Sequence, residues 1–348
     1  MVLIHGGLSL AEGIARPDPG AEVTTAASST AATTTRWPQA TILPPPVIQS
    51  GGDLSPAAEP VAQPPGIEPY AVPFSAPLSA PVDAPGLAPD SAPDPAPSAR
   101  TATPASGSVT ASVANLPNRT SPAGFASSLR SLTADGSDFV MLNEVSRRSI
   151  DGIRSAAPGY DAWRDPAPDR STGGSQSMNN VVMWRSDRWS LVDSARVKVV
   201  DDDRGYLHGH AFTWDRYATW AMLERDDGAI VSVVSTHMPT NPGKYPRQPG
   251  NPSMSRVERY SRGMDTLVAT VQQLAQHGPV LVGGDMNSHH SQGAWTAAAK
   301  MTRAGYRYVK DRGVMHLFYP SGADVARHRQ LGVASDHPAI VTTLVLEG

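Results

Sequence analysis

The sequence predicts an α/β domain of mixed β-sheets covered by helices, preceded by a long segment that cannot form a core. From residue 106 onward, short apolar runs alternate with amphipathic segments. Some apolar runs, such as Thr219–Leu223 and Ala229–Ser235, follow one another with no helix between them, which indicates mixed sheets and not a purely parallel one. Residues 1–105 show no sustained apolar periodicity.

The N-terminal segment is dominated by proline, alanine, serine and threonine. It carries 20 of the 33 prolines, and between Pro65 and Pro97 a proline occurs at every fourth position. This spacing prevents both a helix and a β-ladder and favours an extended polyproline conformation. We therefore expect residues 1–105 to be disordered, either as a spacer or as a solvated tail without a defined role. Residues 106–348 are expected to form one folded domain.

The strands are predicted from short runs rich in Val, Ile and Leu. Besides the two runs above, they comprise Val109–Ala114, Phe139–Leu142, Asn180–Trp184, Val280–Val282 and Ile340–Leu346.

Three helices begin at recognisable caps. Ser255 and Glu258 have the spacing of a capping box, and the helix they open is expected to end before the following Gly-Pro pair. Ser121–Pro122 predicts a second helix with proline at its first position. A third helix is expected to begin at Ser291 and to end near Gly305.

The composition excludes several kinds of site. The chain has no cysteine, so disulfides, thiolate metal sites and a cysteine nucleophile are excluded together. The predicted domain holds 26 basic and 23 acidic residues, a balance that neither favours nor excludes a nucleic-acid partner. No run approaches the roughly 18 apolar residues of a membrane span, so none is expected. The sequence does not predict an oligomeric state.

Signals for location in the cell conflict. Residues Met1–Ala15 lack a basic region, and His and Gly interrupt their apolar run, so they make a poor secretory signal. A long Pro/Ala-rich segment ahead of a folded domain nevertheless suits an envelope spacer. We therefore favour a secreted or cell-envelope location over the cytoplasm.

Polar residues of the kinds that bind metal or phosphate flank five of the apolar runs. They are Asn115, Glu144, His237, the pair Asp285 and Asn287, and the pair Asp336 and His337, the last two coming just before their strand. Functional residues gather at such strand ends. Carboxylate and amide oxygens form a site that suits Mg²⁺ better than Zn²⁺, and histidines transfer protons near neutral pH.

This pattern resembles the endonuclease/exonuclease/phosphatase superfamily over nearly all of residues 108–348. Five blocks occur in the family's order: Asn115 closing the first strand, Asn143–Val145, Thr236–His237, Gly284–Asn287 and Ser335–His337. A single block of this length arises often by chance, but five in order at strand ends are specific. The resemblance implies a four-layer α/β/β/α sandwich of two mixed sheets flanked by helices, with the site at one edge.

The resemblance also implies a metal-dependent phosphoric ester hydrolase. Asn115, Glu144 and Asp336 would bind Mg²⁺, with Mn²⁺ as the alternative cation. The substrate would be a phosphodiester, with nucleic acid as the first candidate. Two alternatives remain: a phosphatase or sphingomyelinase-type phosphodiesterase acting on a lipid or inositol headgroup, and a non-catalytic relative that binds phosphate.

The remaining roles follow position by position from the same resemblance. Asp285 is similar to the residue that orients and deprotonates the attacking water, and Asn287 to the one that holds a phosphate oxygen. His337 matches the histidine that contacts the scissile phosphate. His237 matches the one that helps protonate the leaving oxygen. Arg216 resembles a substrate-binding arginine that contacts phosphate in some members.

One position departs from the family pattern. An Asp usually lies ahead of the terminal S-D-H block and pairs with the catalytic histidine, but the best match, residues 313–318, places Met315 there. Methionine cannot accept the imidazole N–H strongly. Asp311 or Asp324 could substitute, the enzyme could be slower, or catalysis could be lost. We favour retained activity because the other blocks are intact.

Structural interpretations compete with some of these assignments. Gly-Asp-x-Asn is also a good tight turn, and Glu144 could simply cap the element that begins near Ser146. The acidic run Asp201–Asp203 is expected to be a solvated loop.

Overall fold

The computed structural model describes residues 103–167, 177–207, 210–243 and 255–347. All but the last three residues of the predicted disordered segment therefore lie outside the described residues. In chain order the elements are β1 Thr103–Pro104, β2 Gly107–Asn115, α1 Pro122–Thr133, β3 Phe139–Asn143, α2 Ile150–Ala156, β4 Tyr160–Trp163, β5 Val181–Arg185, β6 Trp189–Leu207, β7 His210–Arg225, β8 Ala229–His237, α3 Arg256–Leu274, β9 Val280–Asp285, α4 Ala297–Arg303, β10 Tyr306–Lys310, β11 Met315–Pro320, β12 Asp324–Leu331 and β13 Ala339–Leu346.

The strands form two mixed sheets. The first has the order β12-β13-β2-β3-β5-β4, and the second has the order β10-β11-β9-β8-β7-β6, with the short β1 pairing in parallel with the start of β8. The pairs β2–β3 and β8–β9 are parallel, whereas the other neighbours are antiparallel. This confirms the prediction of mixed sheets.

Three apolar clusters fill the spaces between four layers. The inter-sheet cluster joins side chains of both sheets, including Met141 and Leu281. A second cluster packs α3 and α4 against β8 and β9, and a third packs α1 and α2 against β3 and β5. The arrangement confirms the predicted α/β/β/α sandwich. Ala105 is fully buried in the inter-sheet cluster, so the folded part begins slightly ahead of residue 106.

Two of the three predicted helix starts are confirmed. The hydroxyls of Ser121 and Ser255 accept hydrogen bonds from backbone N–H groups in the first turns of α1 and α3. The prediction that a helix begins at Ser291 is wrong. Only a 3₁₀ turn forms there, because Gly293 takes a positive φ of 111° that interrupts the chain, and α4 starts beyond it, capped by Thr296.

The hairpin of β6 and β7 is much longer than the sequence predicts. The strands pair from Trp189 and Arg225 to Leu207 and His210, whereas β7 pairs with β8 only from Ala218 onward. The acidic run Asp201–Asp203 therefore lies within β6, and Asp203 is fully buried. The prediction of a solvated loop is wrong at Asp203. None of the helices in the described ranges is long and apolar enough to cross a bilayer.

Candidate active site

Several strand ends meet at one edge of the sandwich, which we call the polar edge. β2 and β3 end side by side at Asn115 and Asn143, and β8 and β9 end side by side at His237 and Asp285. β13 runs antiparallel to β2, so the segment Ser335–His337 that precedes it lies at the same edge. The fold thus brings residues from both sheets to one place.

Asn115 joins two carboxylates at the polar edge. Its Nδ2 donates hydrogen bonds to Oε1 of Glu144 at 2.9 Å and to Oδ2 of Asp285 at 3.3 Å. Its Oδ1 is buried and has no hydrogen-bond partner among the described residues. Two acids and one unpaired acceptor oxygen are therefore gathered from three parts of the chain.

Asp285 is held in place through both its backbone and its carboxylate. Its backbone N–H donates to Oδ1 of Asn143 at 2.9 Å, and its own Oδ1 accepts the backbone N–H of Asn287 at 2.9 Å. Its Oδ2 lies 3.7 Å from Nε2 of His237 and 3.8 Å from Nε2 of His337. The carboxylate thus has a fixed orientation, with one oxygen turned towards both histidines.

The surroundings of Asp285 make it a stronger base than an ordinary aspartate. Burial raises the pKa of its carboxyl, and the negative charge of Glu144 acts in the same direction. The positive charge of His337 and the hydrogen bonds from Asn287 and Asn115 oppose this shift, but burial prevails. A raised pKa suits a group that must accept a proton near neutral pH.

The two histidines differ in their environments. His237 is buried, and Nδ2 of Asn179 lies 3.4 Å from its Nδ1. Burial, followed by the positive charges of Arg216 and His337, lowers the pKa of His237 well below its usual value. Donation from Asn179 to Nδ1 leaves the proton of the neutral ring on Nε2, which faces Asp285. The side chain of His337 is 29% exposed.

The backbone is strained where these side chains are presented. Glu144 and Asn287 have positive φ angles of 61° and 48°, which few residues other than glycine adopt. Nδ2 of Asn287 donates to the carbonyl of Met238 at 2.9 Å. Gly284 has a φ of 155°, and a Cβ there would lie 1.7 Å from the carbonyl oxygen of Thr236. Strain of this kind clusters at functional sites.

A family model described as the Endonuclease/Exonuclease/phosphatase family matches residues 109–337. The chain belongs to this family. The matched range contains every residue of the polar edge described above. Members of the endonuclease/exonuclease/phosphatase family are generally hydrolytic phosphoesterases and commonly use divalent metal ions.

Solved structures share the fold at low sequence identity. An endonuclease/exonuclease/phosphatase from Bacteroides vulgatus matches with a TM-score of 0.52 and 16% identity, covering 69% of this chain and 99% of its own. A family protein from Bacteroides thetaiotaomicron gives 0.51 and 13%, covering 70% and 99%. One from Beutenbergia cavernae gives 0.50 and 18%, covering 70% and 72%. No curated protein matches the sequence.

The donor set of the polar edge fits the divalent cation that is common in this family. The Glu144 carboxylate and the buried, unpaired Oδ1 of Asn115 are hard oxygen donors of the kind that Mg²⁺ and Mn²⁺ prefer. A half-turn of the Asn115 amide exchanges Nδ2 and Oδ1. Without a cation, the Asn115 amide can therefore bridge the two carboxylates through Nδ2. With a cation bound, the same side chain can turn Oδ1 towards the metal.

Asp336 is not brought to the other two predicted metal ligands. Its carboxylate is exposed, lies 3.9 Å from the guanidinium of Arg119, and accepts a hydrogen bond from Ser335. In the described parts of the chain, no group of three or more His, Asp or Glu side chains is arranged to hold a metal ion. The role of Asp336 as a ligand stays a prediction, and it requires its side chain to turn inward.

Arg216 lies on β7 next to the polar edge, two residues before Ala218, which pairs with Thr236. Its guanidinium is buried and forms an ion pair of 3.4 Å with Asp203, and not with the carboxylates of Glu144 or Asp285. Arg216 directly precedes Tyr217, whose carbonyl accepts hydrogen bonds from Asn180 and Thr236.

Met315 pairs with Asp285 across β11 and β9 and is fully buried in the inter-sheet cluster. Neither proposed substitute reaches His337. Asp311 accepts hydrogen bonds from backbone N–H groups of its own loop, and Asp324 lies at the opposite end of β12, beside Arg307. In the described chain, the carboxylate within 4 Å of His337 is that of Asp285.

Sequence reasoning assigned no role to the asparagines beneath the site, although Asn143 stands in one of the family blocks. Nδ2 of Asn143 donates to Oδ1 of Asn180 at 2.9 Å and to the hydroxyl of Ser235 at 3.2 Å, and Asn180 in turn donates to the carbonyl of Tyr217 at 2.8 Å. The available signal was the Asn179–Asn180 pair directly before β5, since buried amides need partners.

Proposed function

We propose that the domain is a Mg²⁺-dependent phosphodiesterase acting on nucleic acid, with Mn²⁺ as the alternative cation. The observation that carries this proposal is the meeting of Glu144, Asn115 and Asp285, with the Nε2 atoms of His237 and His337 within 3.8 Å of one Asp285 oxygen. Acids, an amide oxygen and two imidazoles in one place are the groups that metal-assisted hydrolysis of a phosphate ester requires.

Each side chain can be given a task in this reaction. Glu144 and the Asn115 oxygen would hold the cation, with Asp336 joining them on an inward turn. When bound, the cation supplies positive charge to the non-bridging phosphate oxygens. Asp285, with its raised pKa, accepts a proton from the attacking water, and the N–H of Asn287 keeps the carboxylate in place.

The histidines act on the phosphate side of the site. His237 is neutral at physiological pH and presents its Nε2 proton, so it can donate a hydrogen bond towards the leaving or non-bridging oxygen. The side chain of His337 is more exposed, so its imidazole can contact the phosphate directly. The Nδ2 of Asn287 already donates to Met238, so its contact with phosphate would be a second hydrogen bond.

The surface around the polar edge favours nucleic acid over a lipid. Exposed Arg119 and Arg147 lie in the loops after β2 and β3, and Asn118 joins these loops through the backbone N–H of Arg147 and the hydroxyl of Ser146. Such arginines suit a phosphate backbone.

A lipid interface would require exposed apolar side chains near the site. Among the described residues, the large exposed ones are Leu191 and Val345. Both lie towards the end of their sheets away from the polar edge, since Leu191 is near the start of β6 and Val345 near the end of β13.

The test is hydrolysis by the purified full chain. Plasmid DNA, sphingomyelin and an inositol polyphosphate are each incubated with Mg²⁺ or with EDTA, using wild type, Asp285→Asn and the control Asp193→Asn, which alters an exposed acid. We expect Mg²⁺-dependent cleavage of DNA that Asp285→Asn loses by at least about a hundredfold and Asp193→Asn retains. Cleavage of the lipid or inositol substrate alone would refute nucleic acid. Phosphate binding without any turnover would favour the non-catalytic relative.

A further inference from the structure

A buried guanidinium joins two loops that carry side chains to the polar edge. Arg164, the residue directly after β4, is only 6% exposed. Its Nη1 donates hydrogen bonds to the carbonyls of Val145 at 3.0 Å and Met178 at 2.9 Å, and its Nη2 donates to the carbonyl of Arg148 at 2.5 Å. Three backbone carbonyls from two separate segments of the chain therefore meet at one side chain.

The charge of Arg164 is balanced by carbonyl dipoles. Within the described ranges, no carboxylate forms an ion pair with this guanidinium, and its side-chain partners are the three carbonyls. Burial lowers the pKa of Arg164, because the charged group loses its hydration. A buried cation is costly unless hydrogen bonds satisfy it. The three carbonyls are therefore held in fixed positions relative to one another as long as the charge stays buried.

The first of the two segments presents Glu144. Val145 follows Glu144 directly, and its carbonyl also accepts the backbone N–H of Arg148, which closes a tight turn after β3. Glu144 has a positive φ of 61°, a conformation that persists only where the surroundings enforce it. Arg164 binds the carbonyls at both ends of the turn that follows. Its hydrogen bonds thus restrain the backbone that gives the Glu144 carboxylate its direction.

The second segment presents the amide that faces His237. Met178 directly precedes Asn179 in the 3₁₀ turn Ser177–Asn179, and Nδ2 of Asn179 lies 3.4 Å from Nδ1 of His237. The two segments also touch each other, since the backbone N–H of Val145 donates to the carbonyl of Asn179 at 3.2 Å. A shift of either segment would therefore move the Glu144 carboxylate, the Asn179 amide or both.

A neighbouring arginine shows what an ordinary structural contact looks like in this layer. Arg154 lies in the last turn of α2 with its side chain 44% exposed. It pairs with Asp161 at 2.6 Å and donates to the carbonyl of Ala162 at 3.0 Å, so it attaches α2 to β4. Arg164 differs because it is buried and because its hydrogen bonds go to a loop and a 3₁₀ turn, not to a helix or a strand.

We propose that Arg164 is a positioning residue that fixes the Glu144 carboxylate for the cation and the Asn179 amide for His237 together. The part that concerns the cation rests on the proposed function, whereas the part that concerns His237 requires no metal. One substitution should therefore change two properties that no direct contact between Glu144 and His237 would link: the affinity for the cation and the position of the proton on the His237 ring.

The first measurement is the affinity for Mn²⁺, determined by calorimetry with the full chain and no substrate. Arg164→Gln should weaken the binding on the order of tenfold or more, as loss of the groups that support a metal ligand commonly does. Arg164→Lys keeps the charge but lacks the planar fork that reaches three carbonyls, and it should give an intermediate value. Arg154→Gln is the matched control, because it removes an equal charge and several hydrogen bonds nearby, and it should retain the wild-type affinity.

The second measurement is the nitrogen NMR spectrum of His237 without metal, assigned by comparison with His237→Gln. In wild type, donation from Asn179 to Nδ1 should leave the proton of the neutral ring on Nε2. Arg164→Gln should give a mixture of the two neutral tautomers, and Arg154→Gln should give the wild-type spectrum. A role of Arg164 in stability alone would leave the spectrum of the folded protein unchanged.

The outcomes separate this inference from the proposed function. A folded Arg164→Gln variant with wild-type Mn²⁺ affinity and a wild-type His237 spectrum would overturn the inference, as would an equal loss of affinity in Arg154→Gln. If Arg164→Gln does not fold, Arg164→Lys decides by the same criteria. Wild type that binds no Mn²⁺ would refute the metal site of the proposed function, and the His237 spectrum would then decide the role of Arg164.

Discussion

The backbone N–H of Asp285 donates a hydrogen bond of 2.9 Å to Oδ1 of Asn143, and this bond joins the two sheets at the polar edge. Asn143 ends β3 in one sheet, and Asp285 ends β9 in the other. The position of Asp285, the proposed base, therefore depends on the fully buried side chain of Asn143 from the opposite sheet.

Asn143→Ala should weaken both the fold and the reaction. It removes three side-chain hydrogen bonds and leaves Asp285 N–H, Asn180 Oδ1 and the hydroxyl of Ser235 without this partner. We expect a loss of about 3–5 kcal/mol in the free energy of unfolding, measured by urea denaturation. Asn118→Ala, which removes two hydrogen bonds nearer the surface, should cost less than about 1.5 kcal/mol. Equal costs for the two variants would contradict this account.

Gly284→Ala should be among the most destabilising single substitutions in the domain. The new Cβ would lie 1.7 Å from the carbonyl oxygen of Thr236, a backbone atom that cannot move without displacing β8. We expect the free energy of unfolding, obtained from the midpoint and slope of urea denaturation, to fall by about 4 kcal/mol or more. Gly305→Ala provides the control, since Gly305 also has a positive φ but no atom within 4 Å, and it should cost about 1–2 kcal/mol.

Met315→Asp should not improve the enzyme, although it restores the family's usual residue. The new carboxylate would be fully buried beside Asp285, whose own pKa is already raised. We expect a loss of about 4 kcal/mol in unfolding free energy and no gain in kcat/KM on the DNA substrate. Met315→Leu should stay within about 1.5 kcal/mol of wild type. A variant that folds as stably as wild type and hydrolyses DNA faster would disprove this interpretation.

His316 should contribute to acid sensitivity. It is fully buried and stacks on Phe318, and burial lowers its pKa to about 4, with the charge of Lys310 acting in the same direction. Between its unfolded value near 6.5 and about 4, the unfolded chain takes up a proton that the folded chain does not, so stability falls as the pH drops.

The matched variants for this prediction are His316→Phe and His277→Gln, the latter altering an exposed histidine. His316→Phe should reduce the loss of unfolding free energy between pH 7 and pH 4 by about 3 kcal/mol. His277→Gln should leave that loss close to wild type. Parallel pH profiles for wild type and His316→Phe would show that His316 does not titrate as described.

Much of the polar edge could be predicted because the signals are local in sequence. Asn115, His237 and Asp285 each end a short apolar run, and the parallel pairing of such runs brings their ends together. The starts of α1 and α3 were predictable for the same reason, since Ser121 and Ser255 cap residues only three positions away.

Contacts between distant residues could not be read from the sequence. Asn143 and Asp285 are 142 positions apart, and Asp203 and Arg256 are 53 apart, so their partnership depends on the sheet packing. Periodicity also failed where one element was unusually long, because β6 and β7 extend far beyond the single run Thr219–Leu223. The position of Asp336 depends on the turn before β13, which no local pattern specifies.

The most direct test of the proposed metal site at the polar edge is anomalous diffraction from crystals of the full chain soaked with Mn²⁺. A single strong peak is expected within about 2.3 Å of the Glu144 carboxylate, with the Asn115 oxygen as a second ligand, and Glu144→Gln should abolish it. Manganese bound elsewhere, with the polar edge unchanged and empty, would contradict the account.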